Sequence, residues 1–258
     1  MSASLALARR EIVRFLRQKS RVVGAVAPPL VMWILVGAGF KGSFREDSFA
    51  YFFPGTVVLV VLFAAIFATI SVIEDRREGF LQGVLVSPVA PSSIALGKVL
   101  GGAALGLLQG LPLLALVPLT GLKADVAGLA MAALLLAILS FALTALGFAI
   151  AWCLESTQGF HAIMNLFLIP MWLLSGAFFP VDGAPFWLRV TMAVNPLTYG
   201  VAALRRALGG AAPAWASPTL SFAVTIGFAA AMFAAAVAVV SRFPAGPSGS
   251  ASPKPAKA

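Results

Sequence analysis

The chain has 258 residues, 60% of them hydrophobic and 10% charged, with a formal net charge of +9 and a mean hydropathy of +0.99. A soluble globular domain carries about a quarter charged residues, so this composition excludes one and defines an integral membrane protein. The basic residues flank apolar runs, which argues against nucleic-acid binding, while the single Cys153 and single His161 exclude a disulfide framework and a Cys-rich or His-rich metal cluster.

In chain order, residues 5–20 read first as an amphipathic helix. Leu5, Ala8, Ile12 and Phe15 fall on one face, and Arg10, Arg14, Arg17 and Arg21 form a stripe at helical spacing. Such a helix lies along the membrane interface with its arginines on anionic headgroups, or is simply a positive flank. A membrane-crossing helix needs about 20 mostly apolar residues. Six stretches qualify: 22–40, 49–73, 94–119, 126–154, 161–180 and 218–241. Pro28 and Pro29 predict a kink in the first span, Pro112 in the third and Pro170 in the fifth. The first span is an anchor rather than a signal peptide, because its basic leader is long and no convincing cleavage site follows.

Between the second and third spans stands the densest mixed-charge cluster, Glu74-Asp75-Arg76-Arg77-Glu78-Gly79, which holds three of the nine acidic residues. Charges at this density belong in water at the membrane surface. Phe80, Leu81, Val84 and Leu85 then pattern a short helix with one apolar face, stopped by Pro88 and Pro91. Such a helix fits a groove on a soluble partner, or it is a solvated turn. In the third span Gly102, Gly106 and Gly110 recur every fourth residue, beside Gly97 and Gly101, a spacing that lets helix backbones approach closely. Gln109 lies beside this ladder, placed to hydrogen-bond across helices. Residues 180–217 contain two apolar segments too short to cross, 185–192 and 197–208, as re-entrant helices are, with Arg205 and Arg206 anchoring the second at the surface. Residues 243–258, rich in Pro, Ala, Ser and Gly, read as a disordered tail.

An even number of spans puts both termini on one side. That side collects Arg9, Arg10, Arg14, Arg17, Lys19, Arg21, Arg76, Arg77, Arg242, Lys254 and Lys257, with Lys98 just inside the third span. The other side holds Lys41, Arg45, Lys123, Arg189, Arg205 and Arg206. The positive-inside rule therefore predicts cytoplasmic termini and a cytoplasmic 74–93 loop. The span centres carry no Asp, Glu, Lys, Arg or His, which argues against a proton-driven carrier. Gly97-Lys98 is not a Walker A loop, since Ser92 stands where a glycine is required and Val99 follows. A nucleophile elbow and paired intramembrane carboxylates are also missing. Energy for any transport must come from outside the chain.

Three motifs in order carry a resemblance. They are Glu74 to Gly79 running on to Ser87-Pro88, then Ser175-Gly176-Ala177-Phe178-Phe179-Pro180, then Asn195-Pro196-Leu197-Thr198-Tyr199 followed by Arg205. Together they resemble the permease subunits of ABC-2 type exporters, notably the daunorubicin-resistance and nodulation-factor groups, over roughly residues 5–241. The resemblance implies an all-α integral membrane protein of six transmembrane helices. An N-terminal interfacial connecting helix (1–21) would precede a transmembrane domain (22–241) and a disordered cytoplasmic tail (242–258). The domain would include a cytoplasmic coupling helix within 74–93 and short outer re-entrant helices within 181–217, where Pro180, Asn195, Pro196, Tyr199 and Arg205 fall.

Glu74, Asp75, Arg76, Arg77, Glu78, Gly79, Phe80 and Leu81 would form the coupling element, with Glu74, Arg77 and Glu78 as polar contacts and Phe80 and Leu81 packing beneath. The implied partners are a cytoplasmic ABC ATPase, a second permease in a homodimer or heterodimer, and membrane lipid, with no nucleic acid. ATP and Mg would sit on the ATPase, and this chain would hold no cofactor. The implied location is the bacterial inner membrane. The short loop 41–48 favours compact exporters of amphipathic drugs, lipids or glycolipids over relatives with a large external domain. Two other classes compete: an ion-gradient-driven carrier, which would transport alone in vesicles, and a non-transporting assembly or anchor protein. An ATPase reading frame beside the gene discriminates among them.

Overall fold

The computed structural model describes residues 3–41, 48–86, 89–181 and 183–242, and every regular element within them is helical. The expectations for the 41–48 loop beyond Lys41, for Ser87-Pro88 and for the tail 243–258 lie outside the described residues. The elements are α1 (Ala3–Arg17), α2 (Lys19–Gly39), α3 (Ser48–Arg77), α4 (Phe80–Val86), α5 (Pro91–Gly110), α6 (Val126–Trp152), α7 (Thr157–Trp172), α8 (Phe186–Val194), α9 (Pro196–Ala207) and α10 (Pro218–Arg242). A 3₁₀ segment, Leu111–Thr120, continues α5, and a π turn, Leu173–Ala177, continues α7.

Six helical units are long and apolar enough to cross a membrane: α2, α3, α5 with its 3₁₀ extension, α6, α7 with its π turn, and α10. Their ends fall within four residues of the spans read from the sequence. Two of the ends differ by four residues, the start of α7 and the end of α3. Helix α3 does not stop at Ile73 but runs through Glu74, Asp75, Arg76 and Arg77, so these charges form its last turn and not a loop. A helix apolar on every face belongs in a core. Accordingly 89% of the most apolar stretch of α3 is buried, against 22% for α2 and for α10. Helices α2, α5, α6 and α7 surround α3, while α10 packs on the outside against α6 and α9.

The glycines of α5 set how closely its neighbours approach. A β-carbon at Gly102 would come 2.5 Å from Thr144 Cγ2 of α6, one at Gly106 would collide with Ser140 Oγ, and one at Gly110 would press on Val61 of α3. Gly97 and Gly101 face the other way, onto Ser4, Leu7, Ala8 and Glu11 of α1. Ser140 Oγ donates across the seam to the Ala103 carbonyl at 2.7 Å. Gln109 does not cross helices; its amide donates back to Leu105 O at 3.3 Å.

The prolines act by changing the winding. Pro112 and Pro118 lack amide protons, and the segment holding both is 3₁₀. Pro28 and Pro29 sit inside α2 without dividing it, and α7 passes through Pro170 before opening into the π turn. Helix α1 buries Ala8 and Phe15 and packs Ile12, as the apolar pattern suggested, but Leu7 and Glu11 complete the buried face and Leu5 is left 56% exposed. The two short segments before α10 behave differently from each other. Helix α8 exposes Phe186, Trp187, Val190 and Val194, whereas α9 is packed against α6, α10 and the π turn.

Candidate functional site

Eight charged side chains, four acidic and four basic, converge at one end of the bundle. Asp75, in the last turn of α3, has a fully buried side chain. Arg10 of α1 forks onto it, with Nη1 on Oδ2 at 2.8 Å and Nη2 on Oδ1 at 2.9 Å. Arg14 Nη1 donates to Oδ1 at 2.5 Å, and Lys98 of α5 donates to Oδ2. Glu11 of α1 is the second buried carboxylate. It accepts from Lys98 Nζ at 2.7 Å, Arg10 Nη1 at 3.2 Å and Ser71 Oγ at 2.5 Å. Glu74 accepts from Arg14 Nη2 at 3.0 Å and from Arg21. Glu78, with 59% of its side chain exposed, accepts from Arg14 Nη2 at 3.3 Å.

Four carboxylates thus meet four cations, which leaves the hub charge-balanced. Balance matters here because a buried ion whose partner is removed costs about 3–5 kcal/mol. The hydrogen bonds from Arg10 to Asp75, with the charges of Asp75 and Glu11, hold the guanidinium above its ordinary pKa, so Arg10 stays protonated.

Arg10 also ties the hub to the short helix. Its guanidinium carbon lies 3.7 Å from the centre of the Phe80 ring, a cation–π stack on the first residue of α4. Gly79 makes the bend between α3 and α4 with φ of 77°, a left-handed conformation that costs a glycine nothing. Leu81 is buried in the main core. Arg76 and Arg77 reach the opposite way, to the end of α6. Arg76 donates to the carbonyls of Trp152 and Leu154 and lies over the Trp152 ring, and Arg77 donates to Glu155 O from Nε at 3.1 Å and Nη2 at 2.8 Å. Of the charged residues in the cluster, only Arg77 and Glu78 remain largely exposed.

The sequence pattern singled out Glu74 to Leu81 but gave no account of their internal partners. Glu11 and Lys98 were missed as hub members. They stand 87 positions apart, yet each is anomalous locally, an acid on the apolar side of α1 and a lysine two turns inside a membrane span. Arg10, Arg14 and Arg21 face carboxylates of their own chain and not a headgroup layer; the exposed cations near α1 are Arg9, Arg17 and Lys19.

The other two motifs meet at the far end of the bundle. Gly176, at φ of 76° in the π turn, presents a carbonyl that accepts from Tyr51 Oη at 3.2 Å and Arg205 Nη2 at 3.0 Å. Arg205 also donates to Tyr51 O at 3.2 Å and stacks over the Tyr51 ring at 4.2 Å. It is only 6% exposed, so it is not the surface anchor its position beside Arg206 suggested. Backbone carbonyls at an irregular turn need donors that no helix supplies, and the guanidinium provides them. Asn195 caps α9, accepting from Leu197 N at 3.0 Å, while its Nδ2 donates to Met171 O at 2.6 Å. Pro196 opens α9, and Tyr199 donates to Ala193 O at 2.8 Å with its ring edge-on to Trp215. Pro180 is exposed just past the turn.

Six apolar helices with an internally paired ionic hub at one end, beside a short helix, define a polytopic membrane protein. The chain belongs to the ABC-2 type transporter family, which matches residues 3–208. It is 26% identical over 207 residues to a protein of Cyanophora paradoxa named "Putative transport permease ycf38", covering 77% of this chain and 71% of that one. It is 26% identical over 195 residues to "Nodulation protein J" of Rhizobium leguminosarum bv. viciae, covering 73% and 75%. It is also 26% identical over 150 residues to "Probable multidrug ABC transporter permease YbhR" of Escherichia coli, covering 57% of this chain and 40% of that one. The chain is a membrane transport permease, and the family match spans α1 to the end of α9.

Proposed function

We propose that this chain is the membrane subunit of an ATP-driven exporter, and that α4 is where a separate cytoplasmic ABC ATPase grips it. The observation that carries this reading is the Arg10 stack on Phe80 together with the Arg10 fork on Asp75. A push on α4 is passed through one guanidinium to the end of α3, the central helix of the bundle. From Asp75 it reaches Lys98, and so α5, without crossing a flexible joint. The ATPase would hold ATP and Mg, and the hub would convert its movement into rearrangement of the spans.

The permease works as a dimer in this reading, with both termini in the cytoplasm of a bacterial cell and an amphipathic drug, lipid or glycolipid-like cargo. The apolar spans, the two relatives named for nodulation and multidrug transport, and the bias of basic residues toward the hub end support it. Gly83 offers the test of docking. A β-carbon there would meet nothing within 4 Å, which makes position 83 the place on α4 to carry a photo-crosslinking residue. Crosslinks from position 83 to a co-expressed ABC ATPase, and none from position 126 at the other end of α6, are the expected result. Crosslinks absent from both positions in an active complex would overturn it.

A further inference from the structure

At the end of the bundle opposite the hub, α6 and α10 begin and α9 ends around an open groove of about 390 Å³. Helix α6 has 27 residues, so the groove lies about 40 Å from the hub. Its floor is apolar and mostly small, with Ala127 and Met131 of α6, Ala203 of α9 and Phe222 of α10. Lys123 and Arg206 line it as cations, against a single acid, Asp125. The Asp125 carboxylate already caps α6, accepting from Gly128 N at 2.7 Å. Lys123 forms no ion pair with a described residue. Arg206 is held in place by Pro213 O at 2.8 Å and Ser221 Oγ at 3.4 Å, which leaves further donors of its guanidinium available. Two helices start here and one ends, so the helix dipoles add a net partial positive charge of about half a unit to the two side chains.

The surroundings decide what occupies it. Val126 is 85% exposed, and Leu134, Leu220 and Ile226 are each more than 40% exposed on the same two helices. Exposed aliphatic side chains on membrane-crossing helices face lipid tails. The groove therefore sits where a polar rim with excess positive charge meets a hydrocarbon-facing wall. We infer that it holds one phospholipid with an anionic headgroup, the phosphate on Lys123 and Arg206 and the start of an acyl chain over Met131 and Phe222. A zwitterionic headgroup would bring its own cation against the two basic side chains, and a free anion would leave the apolar floor uncovered. This site does not depend on an ATPase, and a lipid resident here is bound in the absence of transport.

The test uses the full chain in mild detergent and in phosphatidylcholine nanodiscs. Native mass spectrometry and thermal unfolding are read with added phosphatidylglycerol, phosphatidylcholine or inorganic phosphate. Phosphatidylglycerol is retained and raises the unfolding temperature, and the other two do neither. Lys123→Gln weakens phosphatidylglycerol binding about fivefold. Ala127→Trp, which fills the groove, abolishes it while the unfolding temperature in phosphatidylcholine stays that of the wild type. Equal retention of both lipids, unchanged binding in both variants, or a shift with phosphate alone overturns the inference. So does a dimer that dissociates in Ala127→Trp, since the groove would then receive a second copy of the chain.

Discussion

Arg10 and Asp75 form a two-pronged ion pair, Nη1 to Oδ2 at 2.8 Å and Nη2 to Oδ1 at 2.9 Å, that bolts the N-terminal helix to the end of the central span. The acid of the pair is fully buried and the base is one-third exposed, so the two are not equivalent under mutation. Removing the base leaves Asp75 with Arg14 and Lys98; removing the acid leaves the hub's four cations on three carboxylates, Glu11, Glu74 and Glu78, an excess of one buried positive charge.

Asp75→Ala is therefore expected to destabilise the protein by about 3–5 kcal/mol, and Arg10→Ala by less. The double variant is expected to show a coupling energy of about 1–3 kcal/mol. Thermal or denaturant unfolding of the four proteins in one detergent measures all three quantities. Simple additivity would show that the fork contributes nothing of its own.

Lys98 bridges two buried carboxylates, Glu11 and Asp75, and is itself only 4% exposed. Lys98→Met removes the charge and keeps much of the volume. It is expected to unfold at a markedly lower temperature, and adding Glu11→Gln is expected to recover part of the loss by removing a stranded anion. A double variant less stable than Lys98→Met alone would contradict this.

The six spans were legible because each needs only an apolar run of about 20 residues, a local property. The charged cluster was legible as an anomaly for the same reason. What it touches was not. Glu11 meets Lys98 across 87 positions, and nothing local tells Asp75, which is buried, from Glu78, which is exposed. Arg205 shows the same limit. Beside Arg206 it reads as half of a surface anchor, yet helical geometry points adjacent side chains about 100° apart, one into the bundle and one toward Pro213 and Ser221. Of the apolar face of α1 only Leu5 was misplaced, because Leu5 and Leu7 are equally apolar. Leu7 packs against Gly97 of α5, 90 residues away.

Gly106 packs on Ser140 so closely that a methyl group has no room. Gly106→Ala is expected to cost about 1–3 kcal/mol by overpacking, despite the better helix propensity of alanine. Gly83→Ala, in open space on α4, is expected to be neutral or slightly stabilising. Unfolding temperatures of the two variants in parallel check the contrast.

Arg205→Lys keeps the charge but loses the planar fork and most of the stack on Tyr51. It is expected to lower stability by about 1–3 kcal/mol, because the buried Gly176 and Tyr51 carbonyls lose a donor. Arg206→Lys, half-buried at the rim, is expected to cost less than 1 kcal/mol. Equal losses in the two variants would place the polar knot of the far end on the surface.

The central claim is that movement of an external ATPase enters through α4 and reaches the core through Arg10 and Asp75. Its most direct measurement pairs ATP hydrolysis with transport in vesicles, using the permease co-purified with its ATPase, for the wild type and for Phe80→Ala. Phe80 is half-buried at the start of α4, so the variant is first required to unfold at the wild-type temperature within a few degrees. The account predicts that Phe80→Ala keeps most of its ATP hydrolysis and loses at least tenfold in transport. Transport at the wild-type ratio to hydrolysis in Phe80→Ala, or transport by the permease alone on an ion gradient, would contradict it.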